Sequence, residues 1–318
     1  MKTYICIPTY NAGNSAKVLV ESMAIQSFKP AGVVIVDSGS TDDTVETFTT
    51  FGSKVVIIDN SQFDHGRTRQ MFVDMLPDAD FLLFMTQDVV IATPNSLELL
   101  LQVFTDEKIT AVYGRQLPRM DANAIEAHGR FFNYPDSSRV KSFADAGAMG
   151  IKAAFFSNAF SAYRRDALLA VGGFPANAIL SEDIYVAGKM LSSNMQVAYC
   201  AEAKVYHSHD YSVFAEFKRY FDQGVFQRSE IWIRETFGRA EGEGIKFVLS
   251  EIHFLLNSDK PYLIPVALTR AFLKYTAYWL GYHHKALPKS LKRAISMNRK
   301  YWESVGNGTG SPSQKSVV

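Results

Sequence analysis

The sequence has only two cysteines, and this scarcity argues against a secreted protein stabilised by disulfides. Cys6 and Cys200 both lie in apolar runs, which is typical of buried thiols in a reducing compartment. The apolar run at residues 4–8 is too short for the core of a signal peptide, so we expect no secretory leader. These features favour a cytoplasmic location.

Long apolar runs are also absent. No stretch reaches the roughly 18 to 20 apolar residues that span a bilayer. The closest candidate, residues 262–282, is interrupted by Pro265, Arg270 and Lys274 and is more typical of an amphipathic helix. We therefore expect no transmembrane segment.

Neither sign of charge dominates the chain. Its 318 residues include 33 Lys and Arg against 32 Asp and Glu, which gives a formal net charge of +1. Nucleic-acid-binding proteins are usually strongly basic, so we expect no nucleic-acid partner. With 47% hydrophobic residues, the chain is able to bury the core of one large domain, with or without an appendage.

The first 115 residues alternate between short β-rich runs and helix-like runs. Strands separated by helical connections predict an α/β fold with a mostly parallel central sheet flanked by helices. Ligands bind at the carboxyl ends of the strands in such a sheet, and this chain has polar turns there, at 8–11, 37–40, 59–66 and 86–88. The predicted strands are 4–7, 33–36, 55–58, 81–85 and 111–113, and the predicted helices are 16–26, 43–51, 66–75 and 96–104.

The rest of the chain is predicted to be irregular and then helical. Residues 116–150 have little periodicity and are interpreted as a long loop. We predict one domain over 1–211, a helical C-terminal region over 212–304 and a disordered tail over 305–318. Further expected elements are helices at 165–171 and 183–192, a strand at 197–200, and breaks in the helical region near 238–244 and 257–261.

Five motifs follow one another along the first 210 residues: IPTYNAG, VIVDSGSTDDT, FMTQDVV, SNAFSAYRRDALLAVGGF and LSEDIYVAGKML. Together they resemble the inverting family-two glycosyltransferases. The resemblance implies the Rossmann-like GT-A fold and the transfer of a sugar from a nucleotide-sugar donor. The helical region is an extension that the motifs do not cover.

The resemblance places the nucleotide at the first two strand ends. Asp37 ends an apolar strand, and its carboxylate is able to accept a hydrogen bond from the ring N–H of a pyrimidine base. An Asp before a Ser-Gly-Ser turn is also typical of a turn or a helix cap. Pro8, Tyr10 and Asn11 are expected to form the opposite wall, with Tyr10 packing near the base.

The fourth polar turn, at residues 86–88, is the expected metal and diphosphate site. The family usually has Asp-x-Asp here, whereas this chain has Thr86-Gln87-Asp88, so only the second Asp is present. Because Mg²⁺ is commonly held by few carboxylates together with substrate phosphates, we predict Mg²⁺ or Mn²⁺ at Asp88, with Gln87 in the donor site. His207 and His209 share one face of an extended segment and are further candidate ligands, although a structural role explains each nearly as well.

Asp183 is the predicted catalytic base. An inverting transferase needs one base to take the proton of the acceptor hydroxyl while its oxygen attacks the anomeric carbon. In the family, the Asp of a Glu-Asp motif has this role, and Asp183 matches it within Ser181-Glu182-Asp183. The same three residues are also typical of a helix cap, so this assignment depends on the other motifs.

Residues 62–69, QFDHGRTR, form the most distinctive stretch. Arg69 matches an Arg that faces the donor in the family, where a guanidinium pairs with phosphate. Together with Thr-Gln-Asp, the Phe-Asp-His-Gly variant resembles bacterial rhamnosyltransferases that build O-antigen and related surface polysaccharides, which implies dTDP-β-L-rhamnose as donor. A UDP-sugar donor in the same fold, or a non-catalytic sugar-binding scaffold, are the alternatives.

The C-terminal region combines basic and aromatic residues. Such a helix is able to lie on an anionic membrane surface, which suits a polyprenyl-diphosphate-linked saccharide acceptor and the inner face of the cytoplasmic membrane. A solvated helix face with a homo-oligomer interface explains the same pattern equally well. The basic residues are Lys285, Lys289, Lys292, Arg293, Arg299 and Lys300, and the aromatic residues are Tyr275, Tyr278, Trp279, Tyr282 and Trp302.

Overall fold

The computed structural model describes residues 1–208, 211–238 and 241–304. In this part of the chain, strands alternate with helices as far as residue 206, and helices follow. The strands are β1 (Thr3–Thr9), β2 (Gly32–Asp37), β3 (Lys54–Ile57), β4 (Phe81–Met85), β5 (Val90–Ile91), β6 (Ile109–Leu117), β7 (Arg139–Lys141), β8 (Phe160–Arg164) and β9 (Gln196–Tyr206). The helices are α1 (Asn14–Ala24), α2 (Thr44–Thr50), α3 (His65–Met75), α4 (Ser96–Gln102), α5 (Ala124–Asn133), α6 (Ala146–Met149), α7 (Arg165–Ala170), α8 (Glu182–Ser192), α9 (Val213–Ser229), α10 (Ile231–Phe237), α11 (Glu241–Asn257), α12 (Ile264–Tyr282), α13 (Lys289–Ile295) and α14 (Tyr301–Ser304).

The strands form one mixed sheet in the order β3-β2-β1-β4-β8-β6-β9-β5, with β7 also paired to β9. The predicted parallel arrangement of the first four strands is confirmed. The second half differs, because β8 lies between β4 and β6 and runs antiparallel to both. Strands β4 and β6 are consecutive among the predicted strands, but β8 separates them in the sheet. The sheet therefore contains both parallel and antiparallel strand pairs.

Helices cover both faces of the sheet and enclose two apolar cores. Along β1, Ile5 and Ile7 face the core beneath α1, α2 and α4, whereas Cys6 faces the core beneath α3, α8 and α9. This alternation follows from the period of two along a strand. Cys6 and Cys200 are both buried free thiols, as expected.

The prediction of a loop over residues 116–150 is wrong. The segment contains the end of β6, helix α5, strand β7 and a helical turn. Helix α5 begins where the Asn123 side chain accepts a hydrogen bond from the backbone N–H of Glu126, and it buries Ala124, Ile125 and His128. The helix is clearly amphipathic, but Gly129 lowers its helix propensity and the flanking residues are rich in Gly, Pro, Asp and Ser, which favours the interpretation as a loop.

The helical region after residue 212 is confirmed, and it packs directly on the sheet domain. Phe221 and Val225 of α9 belong to the same buried cluster as residues of the sheet. Helices α9 and α12 approach closely at Gly224 and Gly281, where an added Cβ would lie 2.1 Å and 1.9 Å from backbone oxygens of the opposite helix. The domain boundary near residue 211 remains a prediction, and the tail 305–318 lies outside the described residues.

None of the described helices is both long and apolar enough to cross a bilayer. The predicted breaks in the helical region are present, although shorter or displaced. Helix α10 ends at Phe237 and α11 begins at Glu241, while α11 and α12 are joined through residues 258–263.

Candidate active site

The end of β2 is built around the carboxylate of Asp37. Its side chain is fully buried, and the parallel register places it opposite Thr9 of β1. Oδ2 accepts hydrogen bonds from the hydroxyls of Thr9 and Ser40 at 2.8 and 2.6 Å, and Oδ1 accepts one from the Ser40 N–H at 2.7 Å. The structure therefore gives Asp37 the turn-forming role, and its contact with a base stays a prediction.

The loop after β1 is held by Gln87. Its side-chain amide accepts a hydrogen bond from the Tyr10 N–H at 2.7 Å and donates one to the Tyr10 carbonyl at 3.0 Å. Asn11 has a positive φ of 44° and is tied to the β2 turn through Ser40. The Tyr10 ring is thus left exposed on a fixed backbone, next to the partly buried Pro8, as a surface against which a base is able to stack.

Asp88 and His207 meet across the sheet, as predicted. The Oδ2 atom of Asp88 lies 3.2 Å from Nε2 of His207, which is buried at the end of β9. The main chain of Asp88 is also fixed, because its carbonyl accepts a hydrogen bond from the Arg119 guanidinium at 2.5 Å. His209, the third predicted ligand, lies outside the described residues, and within the described ranges no group of three His, Cys, Asp or Glu side chains is suited to a metal ion.

Both ring nitrogens of His207 face hydrogen-bond acceptors. Oε1 of Gln116, which accepts a hydrogen bond from Arg130, lies 2.7 Å from Nδ1, and Oδ2 of Asp88 lies 3.2 Å from Nε2. Burial lowers the pKa of His207, although Asp88 acts in the opposite direction. A neutral ring donates one hydrogen bond, and the tautomer with its proton on Nδ1, bonded to Gln116, is the one that leaves Nε2 able to bind a metal ion.

Two acceptor atoms in this arrangement fit a divalent cation. In an octahedral site with ligand distances near 2.1 Å, neighbouring ligand atoms are about 3 Å apart. The Asp88–His207 separation of 3.2 Å agrees with that geometry. The Gln116 contact also matches the usual support of a metal-binding histidine, whose second nitrogen donates to an oxygen.

Asp183 lies in the first turn of α8 and is partly accessible. Its Oδ2 accepts a hydrogen bond from the backbone N–H of Asn158 at 3.0 Å, and Oδ1 accepts one from the N–H of Ile184 at 2.8 Å. Burial and the adjacent Glu182 raise the pKa of Asp183 to about 7. A carboxylate of this kind is able to accept a proton near neutral pH.

Glu182 beside it is buried and remains ionised. Burial acts to raise its pKa, but the Arg69 guanidinium, His65 and the Asn158 amide outweigh burial and lower the pKa. Oε1 of Glu182 lies 3.1 Å from Arg69 Nε and accepts a hydrogen bond from Asn158 Nδ2 at 3.1 Å. The pKa values of these two adjacent carboxyl groups are thus shifted in opposite directions, which is the usual sign of distinct roles.

Arg69 has a different partner from the one that the sequence predicts. It is 5% exposed, pairs with Glu182, and donates a hydrogen bond to the His65 carbonyl. Arg69 therefore has a buried structural role within the motif. A direct contact between Arg69 and a phosphate stays a prediction. Asn158, which contacts both Glu182 and Asp183, was not singled out from the sequence; its signal is its place just before β8, within SNAFSAYRR.

The Phe-Asp-His-Gly segment shapes the start of α3. Asp64 caps the helix by accepting hydrogen bonds from the N–H groups of Gly66 and Arg67 at 3.1 and 2.7 Å. An added Cβ on Gly66 would lie 1.8 Å from the Pro175 carbonyl oxygen, so only glycine permits this approach. The segment therefore positions α3, and with it Arg69, beneath α8.

A cleft of about 250 Å³ lies between α5, α9, α11 and α12. Arg130 and Arg219 line it together with Tyr134. The pKa of Tyr134 is raised mainly by burial, and the charges of Arg130, Asp183 and Arg219 also act on it. The charge of Asp183 thus acts at this wall of the cleft, although Asp183 does not line the cleft itself. Sequence reasoning missed both arginines, because Arg130 fell in the supposed loop and Arg219 in the helical extension.

A profile described as Glycosyl transferase family 2 matches residues 4–172 of the chain. The chain belongs to this family. Two curated relatives align with this glycosyltransferase over nearly their full length. The O-antigen chain rhamnosyltransferase WbaN of Salmonella anatum is 43% identical over 95% of this chain and 96% of its own. The O-antigen chain rhamnosyltransferase RfbN of Salmonella typhimurium is 44% identical over 96% and 97%.

Two solved structures share the fold at low sequence identity. The mannosyltransferase PcManGT from Pyrobaculum calidifontis, in complex with GDP-Man and Mn²⁺, has a TM-score of 0.55 and 15% identity over 96% of this chain and 86% of its own. S. aureus TarS 1–349 in complex with UDP-GlcNAc has a TM-score of 0.53 and 16% identity over 88% and 90%. This glycosyltransferase therefore has a GT-A-like fold.

The candidate site of the glycosyltransferase extends beyond the stretch that the family profile matches. Asp183, His207 and Arg219 all lie after residue 172. The two rhamnosyltransferase relatives nevertheless align across this region, since they cover at least 95% of the chain.

Proposed function

We propose that the enzyme transfers L-rhamnose from dTDP-β-L-rhamnose to a saccharide acceptor of bacterial surface polysaccharide synthesis, with inversion at the anomeric carbon. The observation that carries the choice of sugar is the identity of 43% and 44% to two O-antigen chain rhamnosyltransferases over nearly the whole chain. The Phe-Asp-His-Gly and Thr-Gln-Asp segments support the same choice by their resemblance to such enzymes.

In the proposed reaction, Asp183 is the catalytic base. It accepts the proton of the acceptor hydroxyl as that oxygen forms a bond to the anomeric carbon, while the bond from this carbon to the diphosphate oxygen breaks and dTDP leaves with the electron pair. The raised pKa of Asp183, about 7, supports the assignment. Glu182 is held ionised by Arg69, so the proton is taken by Asp183 and not by its neighbour.

The proposed donor site combines residues at the ends of β1, β2 and β4. Tyr10 stacks on the base, with Pro8, Asn11 and Asp37 forming the walls of the nucleotide pocket. Their internal hydrogen bonds support a preorganised site, which lowers the entropic cost of donor binding. Gln87 and Arg69 are proposed to act there mainly by positioning the Tyr10 loop and the Glu182 side chain.

Asp88 and His207 are the proposed ligands of Mg²⁺ or Mn²⁺, with His209 as a further candidate. A divalent cation at this point supplies positive charge to the diphosphate leaving group. The Asp88–His207 spacing and the Gln116 oxygen beside Nδ1 of His207 support the assignment. Gln116 keeps the His207 ring in the orientation that such binding needs.

The proposed acceptor is a saccharide on a polyprenyl diphosphate, bound from the cytoplasmic side. The cleft beside Asp183 supports this class of acceptor, because Arg130 and Arg219 offer guanidinium groups to a diphosphate. In the same cleft, the charges of Arg270 and Lys274 are matched by Glu216, at 2.9 and 2.7 Å.

A donor screen tests this function. Donor hydrolysis and thermal stabilisation are measured with dTDP-rhamnose, UDP-sugars and GDP-sugars, each with and without Mg²⁺ or Mn²⁺. We expect stabilisation and slow hydrolysis with dTDP-rhamnose only, and stronger binding with metal. A response to a UDP-sugar and none to dTDP-rhamnose would overturn the sugar assignment, whereas no hydrolysis of any donor would favour a non-catalytic scaffold.

A further inference from the structure

The outward face of α12 carries no charge. Its exposed side chains are aliphatic, aromatic or Thr. Phe272, Tyr275 and Trp279 are 67%, 60% and 50% exposed, and with Leu268 they are spaced by three or four residues, which forms one stripe along the helix. The exposed residues of the helix are Pro265, Val266, Leu268, Thr269, Phe272, Tyr275 and Trp279.

The two charged residues of α12 point inward. Arg270 and Lys274 both pair with Glu216 of α9, and their side chains are only 18% and 13% exposed. A helix in contact with water normally shows the opposite arrangement, with charges outside and apolar residues inside. The outward face of α12 is therefore built for contact with an apolar phase.

Helix α11 continues this surface. Ile245, Leu249 and Leu256 are more than half exposed, and the helix packs beside α12. Tyr262, in the turn that joins the two helices, is also exposed. This number of exposed large apolar side chains on two packed helices is unusual for a protein that is surrounded only by water. We name Ile245, Leu249, Leu256 and Tyr262, together with the exposed side chains of α12, the apolar face.

The segment that carries most of this face is strongly basic. Residues 260–302 contain nine Lys and Arg and no Asp or Glu, in a chain whose formal net charge is only +1. Lys260 precedes α12 and Lys285 and Lys289 follow it, and all three are exposed. Cations thus stand at both ends of an uncharged aromatic stripe.

We propose that the apolar face docks on the surface of a bilayer that contains anionic phospholipids. Tyr and Trp side chains lie at the level of the headgroups, aliphatic side chains reach the acyl boundary, and the flanking lysines contact lipid phosphates. A second copy of this chain fits less well, because a symmetric contact would bring two acid-free basic segments together.

This docking rests on the proposed function in one respect, which is that the acceptor is lipid-linked. Phe247 and Lys274, on the same two helices as the apolar face, line the cleft that also contains Arg219. Lys274 faces the cleft from the inward side of α12, whereas the apolar face lies on the outward side, so docking holds the acceptor cleft roughly 10 Å, one helix diameter, from the membrane where a lipid-linked diphosphate is presented.

Vesicle flotation of the full chain tests the surface. We expect the protein to float with vesicles of phosphatidylcholine and phosphatidylglycerol, and to bind weakly to phosphatidylcholine alone. The variant Phe272→Ser/Tyr275→Ser/Trp279→Ser is expected to lose flotation, whereas Ile25→Ser/Ile57→Ser, at exposed apolar positions of the α/β domain, is expected to retain it.

A second pair of variants tests the charges. Each of Lys285→Gln and Lys289→Gln is expected to weaken partitioning about fivefold, since a lysine near an anionic surface contributes about 1 kcal/mol. Lys29→Gln and Lys54→Gln, which change the net charge equally at exposed positions elsewhere, are the matched controls. In these experiments the emission of Trp279 is expected to shift to the blue on docking, and Trp279→Phe to remove that shift.

Three outcomes would overturn the proposal: no flotation of the wild-type protein with anionic vesicles, flotation of the triple Ser variant equal to wild type, or equal effects of the lysine variants and their controls. A dimer that the triple variant converts to monomer, without vesicle binding, would assign the face to a second copy. Donor hydrolysis without vesicles is expected to be unchanged in the triple variant, so loss of docking and loss of the proposed function are measured separately.

Discussion

The proposed donor site and the proposed acceptor cleft use their polar residues differently. On the donor side, Asp37 and Gln87 make most of their hydrogen bonds to the protein itself, and these contacts build rigid turns at the strand ends. On the acceptor side, Asp183 has a pKa raised to about 7 and Arg219 lines an open cleft. Asp37 and Gln87 thus shape the pocket, whereas the proposed reactivity belongs to Asp183, whose ionised form is destabilised by burial and by Glu182.

The largest expected effect is at Asp183. The variant Asp183→Asn keeps the shape of the side chain but removes the base, so we expect rhamnosyl transfer to fall by about 10²- to 10⁴-fold. Donor binding, measured by calorimetry with dTDP, is expected to be unchanged. Asp166→Asn, an exposed acid in the first turn of α7, is the control and is expected to keep full activity. If Asp183→Asn still transfers rhamnose, Asp183 is not the base, and the proposed difference between the two sites is lost.

The next effect concerns the ion pair beneath the base. Arg69→Met leaves the buried carboxylate of Glu182 without its cation, and we expect the free energy of unfolding to fall by about 3–5 kcal/mol. The double variant Arg69→Met/Glu182→Gln is expected to recover most of this loss in urea unfolding. Arg67→Met, exposed on the same helix, is the control. An equal loss in the double variant would mean that packing of Arg69, and not its charge, matters.

A smaller effect is expected at Gln116. Gln116→Leu removes the acceptor that fixes the Nδ1–H tautomer of His207, so Mn²⁺ binding, followed by electron paramagnetic resonance, is expected to weaken about 10- to 100-fold. Gln116→Glu retains an oxygen for both His207 and Arg130 and is expected to restore binding. If neither variant changes Mn²⁺ binding, His207 is a structural residue on the donor side.

The smallest effect is that of pH on the wild-type enzyme. Asp183 acts as a base only when ionised, and its pKa is raised to about 7. The rate at low acceptor concentration is therefore expected to rise with pH through about 7 and to fall about tenfold per unit below it. The Arg69→Met variant is expected to displace this midpoint, because Arg69 lowers the pKa of Asp183. A flat profile between pH 6 and 8 would contradict the assignment of the base.

Much of the first half of the fold was predictable, because β1 to β4 are continuous apolar strands separated by periodic helices. The positions of Asp37, Asp88 and Asp183 at strand or helix ends were also evident from turns and motifs. The ion pair of Arg69 was not predictable, because its partner Glu182 lies more than 100 residues away along the chain. Helix α5 was missed for a local reason, since it is short, contains Gly129 and lies among residues that are rich in Gly, Pro, Asp and Ser, although its own sequence is amphipathic.

The sequence by itself determined the family, the parallel half of the sheet and the order of the strand-end motifs, because these depend on local pattern and chain order. Tertiary structure alone decided which of the two carboxyl groups has a raised pKa and which apolar side chains remain exposed to solvent. Asp183 and Glu182 are neighbours in the chain, and only the approach of Arg69 and Asn158 separates their acidity. Similarly, α12 is recognisable as amphipathic from its sequence, but its contact with Glu216 determines that its charges face inward.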